Sequence, residues 1–120
     1  MQGKRLERVN QLIKEEVSLV LQRQLKDPRL GFVTVTEVDT TADLKLTRIY
    51  VSVLGPDAQW ASSFKALESA RGFVWNWLRK HLDLRVTPEI VFRPDRSMEN
   101  AAHIQSLLAG LKSNDSETGE

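Results

Sequence analysis

Residues 57–82 read DAQWASSFKALESARGFVWNWLRKHL, and the way this stretch folds decides the architecture around it. Trp60, Phe64, Leu67, Val74 and Leu78 recur at i, i+4 and i+7 spacing, the stripe of a core-facing helix. Arg71 falls on the same stripe. In one straight helix its guanidinium would lie among large apolar groups, where an unpaired charge costs several kcal/mol, roughly the burial gain of two neighbours. The next residue, Gly72, is about 1 kcal/mol worse than Ala in a helix interior and takes backbone angles that others avoid. The pattern therefore predicts a break at Ala70-Arg71-Gly72, with two helices joined by a bend that turns Arg71 outward. The alternative is a continuous helix in which the arginine snorkels its head to water.

Upstream, Lys4 to Leu25 repeats Leu6, Val9, Ile13, Val17, Val20, Leu21 and Leu25 at helical spacing. Lys4, Arg5 and Arg8 crowd its first turns, where each cation opposes the helix dipole by about 0.3–1 kcal/mol. Local stability did not select them, which leaves a phosphate contact or a solvated helix end. Pro28 ends this helix. The run FVTVTEV from Phe32 to Val38 alternates as a strand, and residues 39–43 fit a hairpin loop. The second strand, Leu44 to Leu54, puts Thr47, Ile49, Val51 and Val53 on a buried face and Leu46, Arg48, Tyr50 and Ser52 on an open one. Tyr50 there either stacks on a base or is half covered at the sheet surface. Gly55-Pro56-Asp57 is a turn with Asp57 as helix N-cap.

Downstream, EIVFR (Glu89 to Arg93) is a third strand ended by Pro94-Asp95. Ser97 is placed to cap a final helix striped by Met98, Ala101, Ile104, Leu108 and Leu111. From Ser113 the chain reads SNDSETGE, polar and without periodicity, so residues 1–112 are expected to form the domain and 113–120 a disordered acidic tail.

At 120 residues the chain has room for one core and no second domain. No run approaches the roughly 20 apolar residues of a membrane span, and the basic N-terminus has no apolar segment behind it to act as a secretory signal. There is no cysteine and there are only two histidines, which excludes disulfides and leaves no zinc ligand set. Phosphate-binding loops, nucleophile elbows and partnered histidines are all missing, so no enzyme activity, cofactor or metal is expected. The first 112 residues hold all 17 basic side chains and 13 of the 16 acids. That surplus of four is compatible with nucleic acid without demanding it.

The order helix, strand, strand, helix, helix, strand, helix implies an α+β fold. Two strands joined by a short loop pair antiparallel, and a third reached through helix crosses over to lie parallel to one of them. A three-stranded mixed sheet results, with helices on one face. This order resembles the KH fold of the bacterial type (type II), in which a bend between the two middle helices binds RNA. KDPRL (26–30), VTVTEV (33–38), DLKLTRIYVSVLG (43–55), ALESARGFV (66–74), LRVTPEIVFRPDRS (84–97) and HIQSLL (103–108) are similar to the corresponding segments of the bacterial ribosome-binding factor A family. The resemblance runs in order through most of the chain.

It implies a cytoplasmic, monomeric, non-catalytic factor that binds the immature 30S small ribosomal subunit and its 16S rRNA. It further implies a part in late maturation and growth in the cold, and possible encounters with other assembly factors or GTPases. In that family the bend is an Ala-x-Gly, which is Ala70-Arg71-Gly72 here. One position departs: where the family usually has an arginine three residues after the glycine, this chain has Trp75, which either stacks on a base or folds over the core rim. The expected RNA surface is Arg71 with Lys65, Arg79 and Lys80 on the flanking helices, extended by Arg85, Arg93 and Arg96. Lys4, Arg5 and Arg8 form a second patch. The competing expectation is a KH-like protein-interaction module, using the open sheet face and final helix, with no direct RNA contact.

Overall fold

A computed structural model describes residues 2–118, with side-chain surroundings for residues 3–110. Helix α1 (Gln2–Leu19) leads into a π-helical turn at Val20–Gln24. Strands β1 (Val33–Thr40) and β2 (Leu46–Val53) follow, then helix α2 (Asp57–His81), strand β3 (Glu89–Pro94) and helix α3 (Ser97–Thr118). The sheet order is β1-β2-β3, with β1 antiparallel and β3 parallel to the central β2. This is the expected α+β mixed sheet.

Burial follows the alternation of β2. Thr47, Ile49, Val51 and Val53 are buried, while Leu46, Arg48, Tyr50 and Ser52 are half-buried on the other face. Helices α1 and α2 pack over the first face, α1 against β1 and α2 mainly against β3. Their stripes close the core: Val9, Ile13, Val17 and Val20 from α1, with Trp60, Leu67, Val74 and Leu78 from α2.

In β1 the alternation breaks. Val35 pairs with Val51 but Glu37 pairs with Tyr50, so Thr36 is the extra residue of a β-bulge. The bulge changes the strand's phase. Val38 and Thr40, rather than Glu37, continue the buried face. Thr40 meets Thr47 through a hydroxyl–hydroxyl bond of 2.9 Å inside the core. The Thr36 hydroxyl donates to Asp95 Oδ2 at 2.5 Å, and Asp95 Oδ1 accepts from the Ser97 amide at 2.9 Å. Asp95, not Ser97, therefore supplies the side-chain acceptor at the start of α3, for the first amide of the helix. At the start of α2, Pro56 holds the cap position without a side-chain bond, and Asp57 is the first helical residue.

The expected break in α2 needs correction. Helix α2 is one element of 25 residues, uninterrupted at Ala70-Arg71-Gly72. Arg71 lies on the flank of the buried stripe, beside the opening between α2 and β3. Its side chain is 43% exposed and pairs with Glu68 at 3.1 Å, so no break is needed to bring it out. Asn76 Nδ2 donates to the Gly72 carbonyl at 3.1 Å, one turn on, and supports the helix there. Helix α3 has helical backbone to Thr118, and Gly119 and Glu120 lie outside the described residues. Residues 97–110 are exposed throughout, so α3 leaves the body instead of covering the sheet.

Candidate RNA-binding surface

The loop before β1 fixes one end of α2. Asp27 accepts bonds from the amide, Nε and Nη2 of Arg29, the last at 2.6 Å, and these hold its carboxyl below the usual carboxylate range. The Ser62 hydroxyl donates to the Arg29 carbonyl and the Ser63 hydroxyl accepts from the Gly31 amide, both at 3.0 Å. A larger residue at Gly31 would require the flexible end of the Gln59 side chain to move aside. A Cβ there would lie 2.4 Å from Gln59 Nε2.

Midway along α2 the surface opens into a groove between the helix and the start of β3. Arg71, Gly72, Trp75 and Asn76 form one wall; Thr87, Glu89 and Ile90 form the other. A Cβ at Gly72 would meet no protein atom within 4 Å, so nothing inside the fold requires glycine there. Trp75 is half-buried, is not among the residues packed on the core, and carries the Arg79 guanidinium 5.7 Å from its ring centroid. An aromatic face beside a cation is a stacking surface for a base.

Asn76 also borders a neighbouring recess with Phe73, Trp77 and Lys80. Trp77 is fixed from both sides: Nε1 donates to Glu16 Oε2 at 2.8 Å, and the His81 ring stacks on it with centroids 3.8 Å apart. Asn76, Phe73 and Trp77 were not among the sequence-derived contacts. The i, i+4 spacing of Phe73, Trp77 and His81 carries that signal, as an aromatic row on one side of α2.

The remaining expected contacts are dispersed. Arg85 joins Arg5 and Arg8 around a cavity beyond the C-terminal end of α2. Lys4 and Lys65 are exposed, and Ala70 is half-buried; none of the three lines the groove. Arg93, paired in register with Tyr50, lies on the open sheet face. Arg96 is committed to the fold. It pairs with Asp57 at 3.1 Å and Glu99 at 3.0 Å, and its guanidinium sits 4.1 Å over the Trp60 ring. That junction is about 16 Å along α2 from Arg71, eleven residues at the helical rise. Among the described residues no group of three acidic, histidine or cysteine side chains could hold a metal ion.

Comparison with known proteins places the chain in a family. The family model for ribosome-binding factor A matches residues 5–108, and the ribosome-binding factor A of Desulfitobacterium hafniense is 47% identical over 108 residues, 90% of this chain and 86% of that one. The chain belongs to the ribosome-binding factor A family. The crystal structure of the Thermus thermophilus ribosome-binding factor A has a TM-score of 0.68 over 77% of this chain and 97% of its own, at 24% identity, and supports the fold. A homology model of a Thermus thermophilus ribosome binding factor A, fitted into the cryo-EM map of a 30S–RbfA complex, matches with a TM-score of 0.62 and 25% identity over 72% of this chain and 91% of that one. As a member of this family, the chain has the expected KH-like architecture, while its middle helix is continuous.

Proposed function

We propose that this chain binds the free 30S subunit and its 16S rRNA as a non-catalytic, cytoplasmic assembly factor, acting as a monomer in late maturation and in growth in the cold. The α2–β3 groove carries the RNA contact. The observation that supports this most directly is Gly72, a glycine in a helix interior with open space over it, flanked by Arg71 and by the Trp75–Arg79 pair. A backbone left bare between a cation and an aromatic face lets a sugar–phosphate strand approach closely while a base stacks. Phosphate contacts set position, and RNA shape supplies specificity. The binding surface lies within residues 1–112. Release by another assembly factor or a GTPase fits a role that ends when the subunit matures.

The test is co-sedimentation of wild type and Arg71→Glu/Arg79→Glu with small subunits, large subunits and mature ribosomes at two salt concentrations, with circular dichroism confirming that the variant is folded. Wild type is expected to pellet with free small subunits, less so at higher salt, and the variant to stay in the supernatant. Equal pelleting of the two would remove the groove from the contact. A second reading, a protein-interaction module without direct RNA contact, draws on the exposed Met98, Ile104, Leu107 and Leu108 of α3. It requires the charge reversal to be tolerated.

A further inference from the structure

The cavity at the opposite end of α2 from the Arg96 junction unites two patches that are far apart in sequence. Arg5 and Arg8 reach it from the first turns of α1, and Arg85 from the loop between α2 and β3. One carboxylate, Asp83, shares the rim. Among the described residues none of these three arginines forms an ion pair, as is also true of Arg23, Arg79 and Arg93, but only these three gather around one opening. Gathering three unpaired guanidiniums around one opening, two of them against the α1 dipole, works against stability. The arrangement makes sense when an anion completes it.

The floor is apolar, and some of it is left open: Leu12 is 37% exposed and Val86 66%. A cavity of about 420 Å³ is within the range of small-molecule sites. A duplex would meet the arginines with its phosphates and leave the aliphatic floor uncovered. An unpaired nucleotide satisfies both parts, with its phosphates on the guanidiniums and its base or sugar on the floor. An acidic peptide would meet the charge equally well, but the surroundings favour RNA. On α2, Gly72, Trp75 and Arg79 follow one another along a single side of the helix toward its C-terminal end, and the segment that follows lines both the groove and the cavity, so a strand lying in the groove is led over about 15 Å to this cavity.

We propose that this cavity seats a single unpaired nucleotide of the bound RNA, as a second contact beyond the α2–β3 groove. The proposal rests on the RNA-binding reading above, and its test separates the two. Affinity for a short single-stranded oligoribonucleotide and for the matching duplex is measured across a salt series. Wild type is compared with Arg5→Gln/Arg8→Gln/Arg85→Gln, Leu12→Ser/Val86→Ser and Arg71→Glu/Arg79→Glu, each checked for fold by thermal melting.

The triple arginine variant is expected to bind the single strand about tenfold or more weakly. Its salt slope should be shallower by about 1–2, since each phosphate no longer neutralised changes the slope by about 0.7. The Leu12→Ser/Val86→Ser variant is expected to bind the single strand about threefold more weakly at unchanged slope, and to give up the preference over duplex. If the arginine variant binds as wild type while Arg71→Glu/Arg79→Glu fails, the groove reading stands and the nucleotide seat falls. If only the arginine substitutions matter and duplex binds as well as single strand, the cavity is a phosphate patch and the seat is refuted. Binding of an acidic peptide at the cavity with no RNA affinity anywhere would overturn both.

Discussion

Gly72 separates stability from binding at a single residue. Its helical backbone and open surroundings mean that Gly72→Ala should stabilise the free protein by about 0.4–1 kcal/mol, through lower entropy of the unfolded chain and better helix propensity. The same methyl group stands where a strand would approach. Gly72→Ala is therefore expected to raise the melting temperature and weaken RNA binding. Asp95 is a second informative residue. The hydrogen bonds from the Thr36 hydroxyl and the Ser97 amide hold its carboxyl below the usual value near 3.8. A carboxyl depressed in the folded state stabilises fully above its unfolded pKa, and loses that contribution as pH falls through the lower folded value. Acid unfolding below about pH 4 should thus begin at higher pH in Thr36→Val than in wild type. An NMR titration of Asp95 would show the carboxyl moving back toward its ordinary range.

At the scale of elements, most of the fold was legible because the core-forming strands and helices are amphipathic and only one side of the sheet is covered. The β2 alternation from Thr47 to Val53 and the α1 stripe from Val9 to Val20 correspond directly to buried residues. The β1 bulge shows in the sequence only as the slip from Val33 and Val35 to Val38, and the partner of its extra residue Thr36 is Asp95, 59 residues away. The π-helical turn that closes α1, with the Leu25 amide bonded to the Val20 carbonyl at 3.0 Å, had no local signal. The expected break in α2 failed for a related reason. Periodicity places Arg71 on the stripe but does not report that the core stops short of that flank. Arg71, Gly72 and Trp75 were still identified as a group, because neighbours on a helix share a face. The cavity arginines were assigned to separate patches, since only the return of the 82–88 loop brings Arg85 to Arg5 and Arg8.

The molecule as a whole extends over 66 × 40 × 19 Å, with the α3 residues Met98, Ile104, Leu107 and Leu108 between 55% and 66% exposed. Such side chains contribute little to folding. Ile104→Ser/Leu108→Ser should leave thermal stability within about 0.5 kcal/mol of wild type, and any loss of subunit association in that variant would point to a protein contact through α3. The sheet has a kinetic consequence. β1 and β2 meet through a short loop, residues 41–45, whereas β3 reaches β2 only after residues 54–88, a closure with a larger entropic cost. β3 is also a six-residue edge strand. It is the natural first part to open, and the groove and the arginine cavity both take wall residues from the segment 82–90. Amide exchange at Glu89 and Asp95, bonded to the Lys45 and Val51 carbonyls, should outpace exchange in the middle of β2. Bound RNA should slow it selectively, because a ligand that needs the closed edge opposes its opening. The proposed RNA surface would then be the least stable edge of the free protein, and its exchange rate a direct gauge of occupancy.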